Sequence, residues 1–311
     1  MLGVAVALLT GCDSPPAPPP PAVLRIATGS PGGGFYPLGE RLVRGFTRQL
    51  AAVSVRTQRS DGAVSNLTAV ERGEADLGLA FSDVAYIAYG GALDPALPPF
   101  RNLRALAVLQ LTPVHLVVSG RAHIRSVADL RSRRVGLGPA GSGTALTATL
   151  VLQAYGLAAS DIQGRWVGFN EGAAALRSGQ LDAMFDNANY PVDWVRAEIA
   201  AGARLLPLTG DAIDELRRAY PFLRPASIPA GTYRAQSRAI HTIGVDTVLV
   251  CRGDMPERLG YEVTRAIFEV LPGITETSRA SSFFDLEQAA ATPIPLHEGA
   301  ARYYRERELM R

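Results

Sequence analysis

Along this chain, short apolar runs alternate with longer amphipathic stretches, the pattern of parallel strands joined by helices. The first apolar run is Val23-Leu24-Arg25-Ile26-Ala27. A glycine-rich turn follows from Gly29 to Gly34, then a helical pattern from about Pro37. The same sequence of events begins again at Arg134-Val135-Gly136-Leu137, with a turn from Gly138 to Gly143 and a helical pattern from about Thr144. Each unit then reaches a similar signature. One helical segment ends at Gly73 before Glu74-Ala75-Asp76-Leu77-Gly78-Leu79, and another ends at Gly179 before Gln180-Leu181-Asp182-Ala183-Met184-Phe185. The glycine fits a helix C-cap, and the run after the aspartate fits a buried strand. Gly29 to Gly73 is 44 positions and Gly138 to Gly179 is 41. Matching order and spacing predict two similar α/β lobes facing each other across a cleft.

The apolar stretch Val114 to Ser119 carries the chain into the second lobe, and Ile243 to Cys251 carries it back. The segment Pro256 to Leu271 places Leu259, Val263, Ile267 and Val270 on one helical face that rejoins the first lobe. This predicts lobe I from residues 23–115 and 245–311, and lobe II from residues 116–244.

The N-terminus adds a location. Residues 1–12 end in Leu9-Thr10-Gly11-Cys12 after a short apolar stretch, the pattern of a bacterial lipoprotein signal peptide with Cys12 as the lipidated residue. No basic residue precedes the apolar run. Residues 13–22 are mostly proline and favour an extended path, the form of a tether. Asp13 directly after the cysteine predicts retention at the inner membrane. Cys251 is the only other cysteine, so no disulfide framework is expected, and its place at the end of Val248-Leu249-Val250 predicts a buried thiol.

Composition narrows the chemistry. A net charge of +2 gives no large single-sign field, so nucleic acid is not indicated. All 31 basic residues are arginine, which removes Schiff-base and phosphate-loop lysines. Gly136, Gly138 and Gly141 fit GxGxxG, but Asp161 precedes the next strand-like run, Arg165 to Phe169, where the dinucleotide pattern wants it after. Thr144 stands where a phosphate loop needs lysine. No GxSxG elbow occurs, and His115, His123, His241 and His297 have no metal-ligand spacing. Asp214-Glu215 with Arg217 and Arg218 reads as a solvated helix face. No catalytic set, metal or cofactor is predicted, and the chain is read as a binding protein, not an enzyme. The two glycine turns are the candidate site: each lets backbone approach a ligand and aims a helix N-terminus at it, which suits an anion. Phe35 and Tyr36 offer an aromatic wall, and Ser142 and Thr144 offer hydroxyls.

The chain resembles the TAXI family, the solute-binding subunits of a class of TRAP transporters. The likeness lies in ATGSPGGGFYPLG from Ala27, SDGAVSNLTAVERGEADLGLAFSDVAY from Ser60, NLRALAVL from Asn102, SVADLRSRRVGLGPAGSGTALTA from Ser126, AYPFLRPASIPAGTY from Ala219 and TPIPLHEGAARYYRE from Thr292. The resemblance implies a type II periplasmic binding-protein fold with hinge strands. It implies capture of a small organic anion, such as glutamate or a related dicarboxylate, for a permease driven by an ion gradient. It assigns the ligand to Gly33, Gly34, Phe35, Tyr36, Ser82, Ser142, Gly143, Thr144, Asn187 and Asn189. Asp61, Ala63 and the polar segment Asp186 to Tyr190 depart from the family pattern. Asp61 and Asp186 either disfavour an anion nearby or favour a ligand with an amine. The default oligomeric state for such receptors is a monomer. The alternative function is a sensory binding protein that signals to a membrane kinase.

Overall fold

The apolar run after Gly73 forms strand β3 (Leu77–Phe81), and the run after Gly179 forms β7 (Ala183–Asn187); both are buried at every position. Such uninterrupted burial marks a central strand covered on both faces. The computed structural model describes residues 23–30, 33–50, 53–94, 96–220, 222–276 and 288–310. The lipobox with Cys12, the stretch 13–22, and Pro31 and Gly32 of the first turn lie outside the described residues.

In the first half, β1 (Val23–Ala27) lies between β2 (Ser54–Gln58) and β3, all parallel. In the second, β5 (Arg134–Gly136) lies between β6 (Gln163–Arg165) and β7, again all parallel. Two long strands join them. β4 (Leu103–Val118) pairs with β10 (Ile240–Arg252) as far as Pro113, and with β7 from Val114 onward. β10 pairs with β3 over Thr247 to Cys251 and with β9 (Leu223–Ile228) over Ile240 to Val245. A short β8 (Arg204–Leu205) also pairs with β4. The resulting order is β2-β1-β3-β10-β4-β7-β5-β6. At the crossing, the Thr112 and Thr247 hydroxyls lie 2.8 Å apart, fully enclosed, and β10 carries register shifts on either side of Val248 and Leu249.

Helices cover both sheets: α1 (Phe35–Gln49), α2 (Ala63–Glu71), α3 (Ser82–Gly90), α4 (Gly143–Ala154), α5 (Phe169–Ser178), α6 (Asp193–Ala200), α7 (Asp211–Ala219), α8 (Glu257–Glu276) and α9 (Glu298–Glu306). α1 and α4 begin at Phe35 and Gly143, slightly earlier than the sequence pattern places them. The Arg165 to Phe169 run is not a strand: β6 ends at Arg165, and Phe169 opens α5. α7 carries Asp214 and Glu215 in exposed ion pairs with Arg217 and Arg218. Cys251 is buried in β10, and burial pushes its thiol upward. The C-terminal segment returns to the first half, where the Tyr304 hydroxyl donates to the Leu106 carbonyl at 2.8 Å. Among the described residues no helix is long and apolar enough to cross a membrane.

The repeat extends to single hydrogen bonds. Asp76 and Asp182 each stand three positions past their glycine. Asp76 Oδ2 accepts the backbone N–H of Arg25 at 2.8 Å and its Nε at 3.0 Å; Asp182 Oδ2 accepts the same two groups of Arg134 at 2.9 and 3.0 Å. Gly73 and Gly179 adopt φ values of +74° and +76°, the left-handed turn that stops a helix and that glycine adopts without strain. Each unit therefore fixes its helix end and its next strand with the same parts.

Candidate functional site

The loops at the carboxyl ends of the parallel strands converge on a small pocket between the two halves. The first half supplies Gly29, Ser30, Gly33, Gly34 and Phe35 from the β1–α1 turn, Asp61, Gly62 and Ala63 from the β2–α2 turn, and Phe81 from the end of β3. The second supplies Ser142, Gly143 and Thr144 from the β5–α4 turn, Phe169 from the start of α5, and Asn187 from the end of β7. Four helix N-termini therefore border one pocket.

The first-half loops are tied together from behind. Asn66 Nδ2 donates to the carbonyls of Thr28 and Leu79, while Ser60 Oγ donates to Asn66 Oδ1 at 2.6 Å. One buried asparagine thus links the residues that follow β1 and β2 to the middle of β3. Gly62, at φ +132° and ψ −154°, takes a conformation reserved for glycine and opens α2 with no side-chain cap. At α4, Ser142 Oγ accepts from the Ala145 N–H at 3.2 Å. Among the described residues, no acceptor meets the N–H groups of Ala63, Gly143 or Thr144, all at the pocket. Unpaired N–H groups at the positive end of a helix dipole favour a bound anion.

The walls are apolar. Phe35 and Phe81 pack with ring centroids 4.5 Å apart, and the Phe169 ring lies against Gly33, 3.3 Å from where a Cβ would stand. None of the lining residues is basic, and the one charged residue among them, Asp61, is exposed. An anion here would be held by backbone N–H groups and helix dipoles rather than by a guanidinium.

The halves touch around the pocket. The Val64 N–H donates to the Gly141 carbonyl at 3.2 Å. A Cβ on Gly62 would lie 3.3 Å from Ser142 Cα. Behind the pocket, the Thr147 hydroxyl lies 3.0 Å from Asp83 Oδ2. Burial pushes the Asp83 carboxyl up to about 6, opposed by hydrogen bonds from the Val84 N–H and Thr147.

Of the residues assigned from the sequence, Gly33, Gly34, Phe35, Ser142, Gly143, Thr144 and Asn187 line the pocket, while Tyr36, Ser82 and Asn189 do not. Tyr36 is half-buried beneath the Arg59 guanidinium, 5.4 Å from its ring centroid. Ser82 Oγ donates to the Asp246 carbonyl at 3.1 Å, which ties α3 to β10. Phe81 takes the place given to Ser82. Phe81 and Asn187 each stand eight positions past their repeat glycine, so the internal repeat marks the pocket-lining position in both halves. Asn189 is half-buried with its Oδ1 enclosed and unpaired among the described residues.

Asp186 does not face the pocket, contrary to the sequence expectation. Adjacent strand residues point to opposite faces. Asn187 takes the pocket side, and Asp186 is fully buried on the other, where Trp194 Nε1 donates to its Oδ2 at 2.8 Å. Its cross-strand partner is His115, whose Nε2 lies 2.9 Å from the Tyr233 hydroxyl. Burial pushes Asp186 up to about 7 and His115 down to about 4.

This architecture is shared with solved periplasmic binding proteins. The periplasmic binding protein BugD aligns with a TM-score of 0.60 at 11% identity, covering 92% of this chain and 94% of its own. PhnD1 from Prochlorococcus marinus, solved with methylphosphonate, aligns at 0.54 and 16%, covering 93% of this chain and 99% of its own. The aliphatic sulphonate binding protein SsuA from Escherichia coli aligns at 0.51 and 18%, covering 92% of this chain and 83% of its own. At these identities the likeness establishes the fold. The sequence itself matches one family from residue 26 to residue 307, and the chain belongs to the NMT1-like family.

Proposed function

We propose that this protein is the extracytoplasmic solute-binding subunit of a TRAP transporter of the TAXI type. Residues 23–115 and 245–311 act as one lobe and 116–244 as the other, closing over a small organic anion for delivery to an ion-gradient-driven permease. Glutamate and related amino acids or dicarboxylates are the ligand class. The observation that carries the reading is the pocket: α1, α2, α4 and α5 start at it, and unpaired N–H groups of Ala63, Gly143 and Thr144 border it. Further support comes from the anionic groups named for structures of the same fold, methylphosphonate with PhnD1 and aliphatic sulphonates for SsuA. Tyr36, Ser82 and Asn189 act behind or beside this site. The protein binds its solute and does not transform it.

Cys12 and the proline-rich stretch after it support a lipid-anchored, periplasmic, monomeric receptor held at the inner membrane. Cys12→Ser is expected to move the protein from the membrane fraction to the soluble periplasmic fraction. Unchanged membrane association would contradict the anchor.

A thermal-shift screen of the purified protein against amino acids, dicarboxylates, 2-oxo acids and nucleotides tests the ligand class. A ligand that binds only the native state stabilises it by about 2.7 kcal/mol at one hundred times its Kd. A concentration-dependent rise in Tm with a small carboxylate, and none with nucleotides, is the expected result. A rise with nucleotides alone would overturn the reading.

A further inference from the structure

Four surface helices balance their charge along their own length, and α1 does not. Asp193 pairs with Arg196 on α6, Glu215 with Arg218 on α7, Arg258 with Glu262 on α8, and Arg302 with Glu306 on α9. On α1, Arg41, Arg44 and Arg48 follow one another at spacings of three and four, which places them on one helical stripe. Leu38, Leu42, Gly45 and Phe46 make the buried stripe of the same helix, so the arginines look outward. Arg44 and Arg48 are exposed and Arg41 is half-buried. None of the three has an ion pair among the described residues. The one acid of α1, Glu40, instead accepts from the Thr57 hydroxyl at 2.9 Å, on the flank toward β2. Arg56 is exposed on β2, the outermost strand, and also lacks an ion pair among the described residues. This positive face stands where the N-terminal stretch joins the body. Val23 pairs with Ser54, so the chain enters β1 beside the start of β2, and Arg48 stands six positions before Ser54. The helix spans about 22 Å at about 1.5 Å per residue. The proline-rich stretch 13–22 reaches about 31 Å when extended, at about 3.1 Å per residue. A body held on so short a tether meets the surface that holds it.

We infer that the outer face of α1, with Arg41, Arg44 and Arg48, is a docking surface for the anionic phospholipid head groups of the bilayer that holds the lipid anchor. This rests on the anchor proposed above and not on the solute pocket. A guanidinium without a carboxylate partner keeps its fork of N–H donors for phosphate oxygens, whereas the paired arginines of α6 to α9 have spent theirs. The lipid fixes how far the body stands from the bilayer, and the arginines fix which side it turns down. With this face down, α1 lies along the bilayer. Its first turn, where Phe35 borders the pocket, then points along the membrane plane, toward a neighbour in the same membrane.

Vesicle co-sedimentation of the full chain carrying Cys12→Ser, which has no site for the lipid, reads the arginines without the anchor. Vesicles of phosphatidylcholine alone are compared with vesicles in which about one-third is phosphatidylglycerol. Tighter binding to the anionic vesicles is expected, and it should fall as salt is raised. A basic residue near an anionic surface is worth about fivefold in affinity. Arg41→Gln, Arg44→Gln and Arg48→Gln together should therefore weaken binding to the anionic vesicles by about a hundredfold. Arg196→Gln, Arg218→Gln and Arg258→Gln together remove the same charge from paired arginines and should weaken it by less than about tenfold. Equal binding to the two kinds of vesicle overturns the inference, and so does an equal loss in the two triple variants. Failure to bind anionic vesicles also overturns it and leaves an acidic protein surface as what α1 meets. The anchor is judged separately, by where Cys12→Ser fractionates in cells, so the failure of one reading is not mistaken for the failure of the other.

Discussion

Gly143→Val is expected to abolish solute binding, lowering affinity at least about a hundredfold, while each half keeps its fold. Gly143 opens α4 in the second half, and a Cβ there would stand 2.2 Å from Cδ2 of the Phe81 ring in the first. Phe81 is 5% exposed and packed on Phe35, so its ring has nowhere to retreat. The cheapest relief is to move α4 away from β3, which draws apart the two halves and separates the N–H groups that border the pocket. Local overpacking of this kind costs typically about 1–3 kcal/mol of stability. The loss of binding exceeds that, because two sets of contacts must act on one solute at once. Titration with whichever carboxylate stabilises the wild-type protein reads the first effect, and urea unfolding reads the second. Affinity within tenfold of wild type would show that the solute does not sit between Phe81 and α4.

The second large effect is electrostatic. Asp186 is fully buried, with one hydrogen bond from Trp194 and its Oδ1 unpaired among the described residues. Its carboxyl is pushed up to about 7 by burial, against an unfolded value of about 3.9. A carboxyl raised in this way contributes stability that is fully present below the unfolded value and is lost as pH rises through the folded one. Asp186→Asn keeps an acceptor for Trp194 and stays neutral at every pH. The stability of the variant relative to wild type should therefore rise by on the order of 3 kcal/mol between pH 5 and pH 8. Asp83 and His115 titrate in both proteins and largely cancel in the comparison. A difference that stays flat from pH 5 to pH 8, measured by urea unfolding, would mean that Asp186 is ionised throughout and paired with a charged His115.

Much of this molecule is legible in its sequence because it is written twice. The strand, glycine turn, helix and Gly-x-x-Asp signature recur at nearly equal spacing, and the Arg25–Asp76 and Arg134–Asp182 pairs show that the repeat holds in hydrogen bonding. The glycine turns are legible as loops that line the pocket because backbone chemistry at helix N-termini depends on local sequence alone. What the sequence conceals depends on register and on distant pairing. Asp186 and Asn187 look alike as polar residues ending an apolar run, and only the pairing of β7 with β4 decides which one faces the pocket. Ser82 looks the better ligand next to Phe81, yet β3 ends with Phe81 at the pocket and turns Ser82 to the crossing strand. Asp83 and Thr147 lie 64 positions apart, and no local pattern joins them. One sign was available: Thr144 and Thr147 stand three apart on one helix, which places both hydroxyls on the face that meets β7.

The central claim is that a small carboxylate sits between the two glycine turns. A crystal structure of the protein grown with the carboxylate that most raises its Tm tests this most directly. The account predicts solute density between Gly33–Phe35 and Ser142–Thr144, with the carboxylate against the N–H groups of Gly143 and Thr144. A solute found anywhere outside the Phe35, Phe81 and Phe169 walls would contradict it.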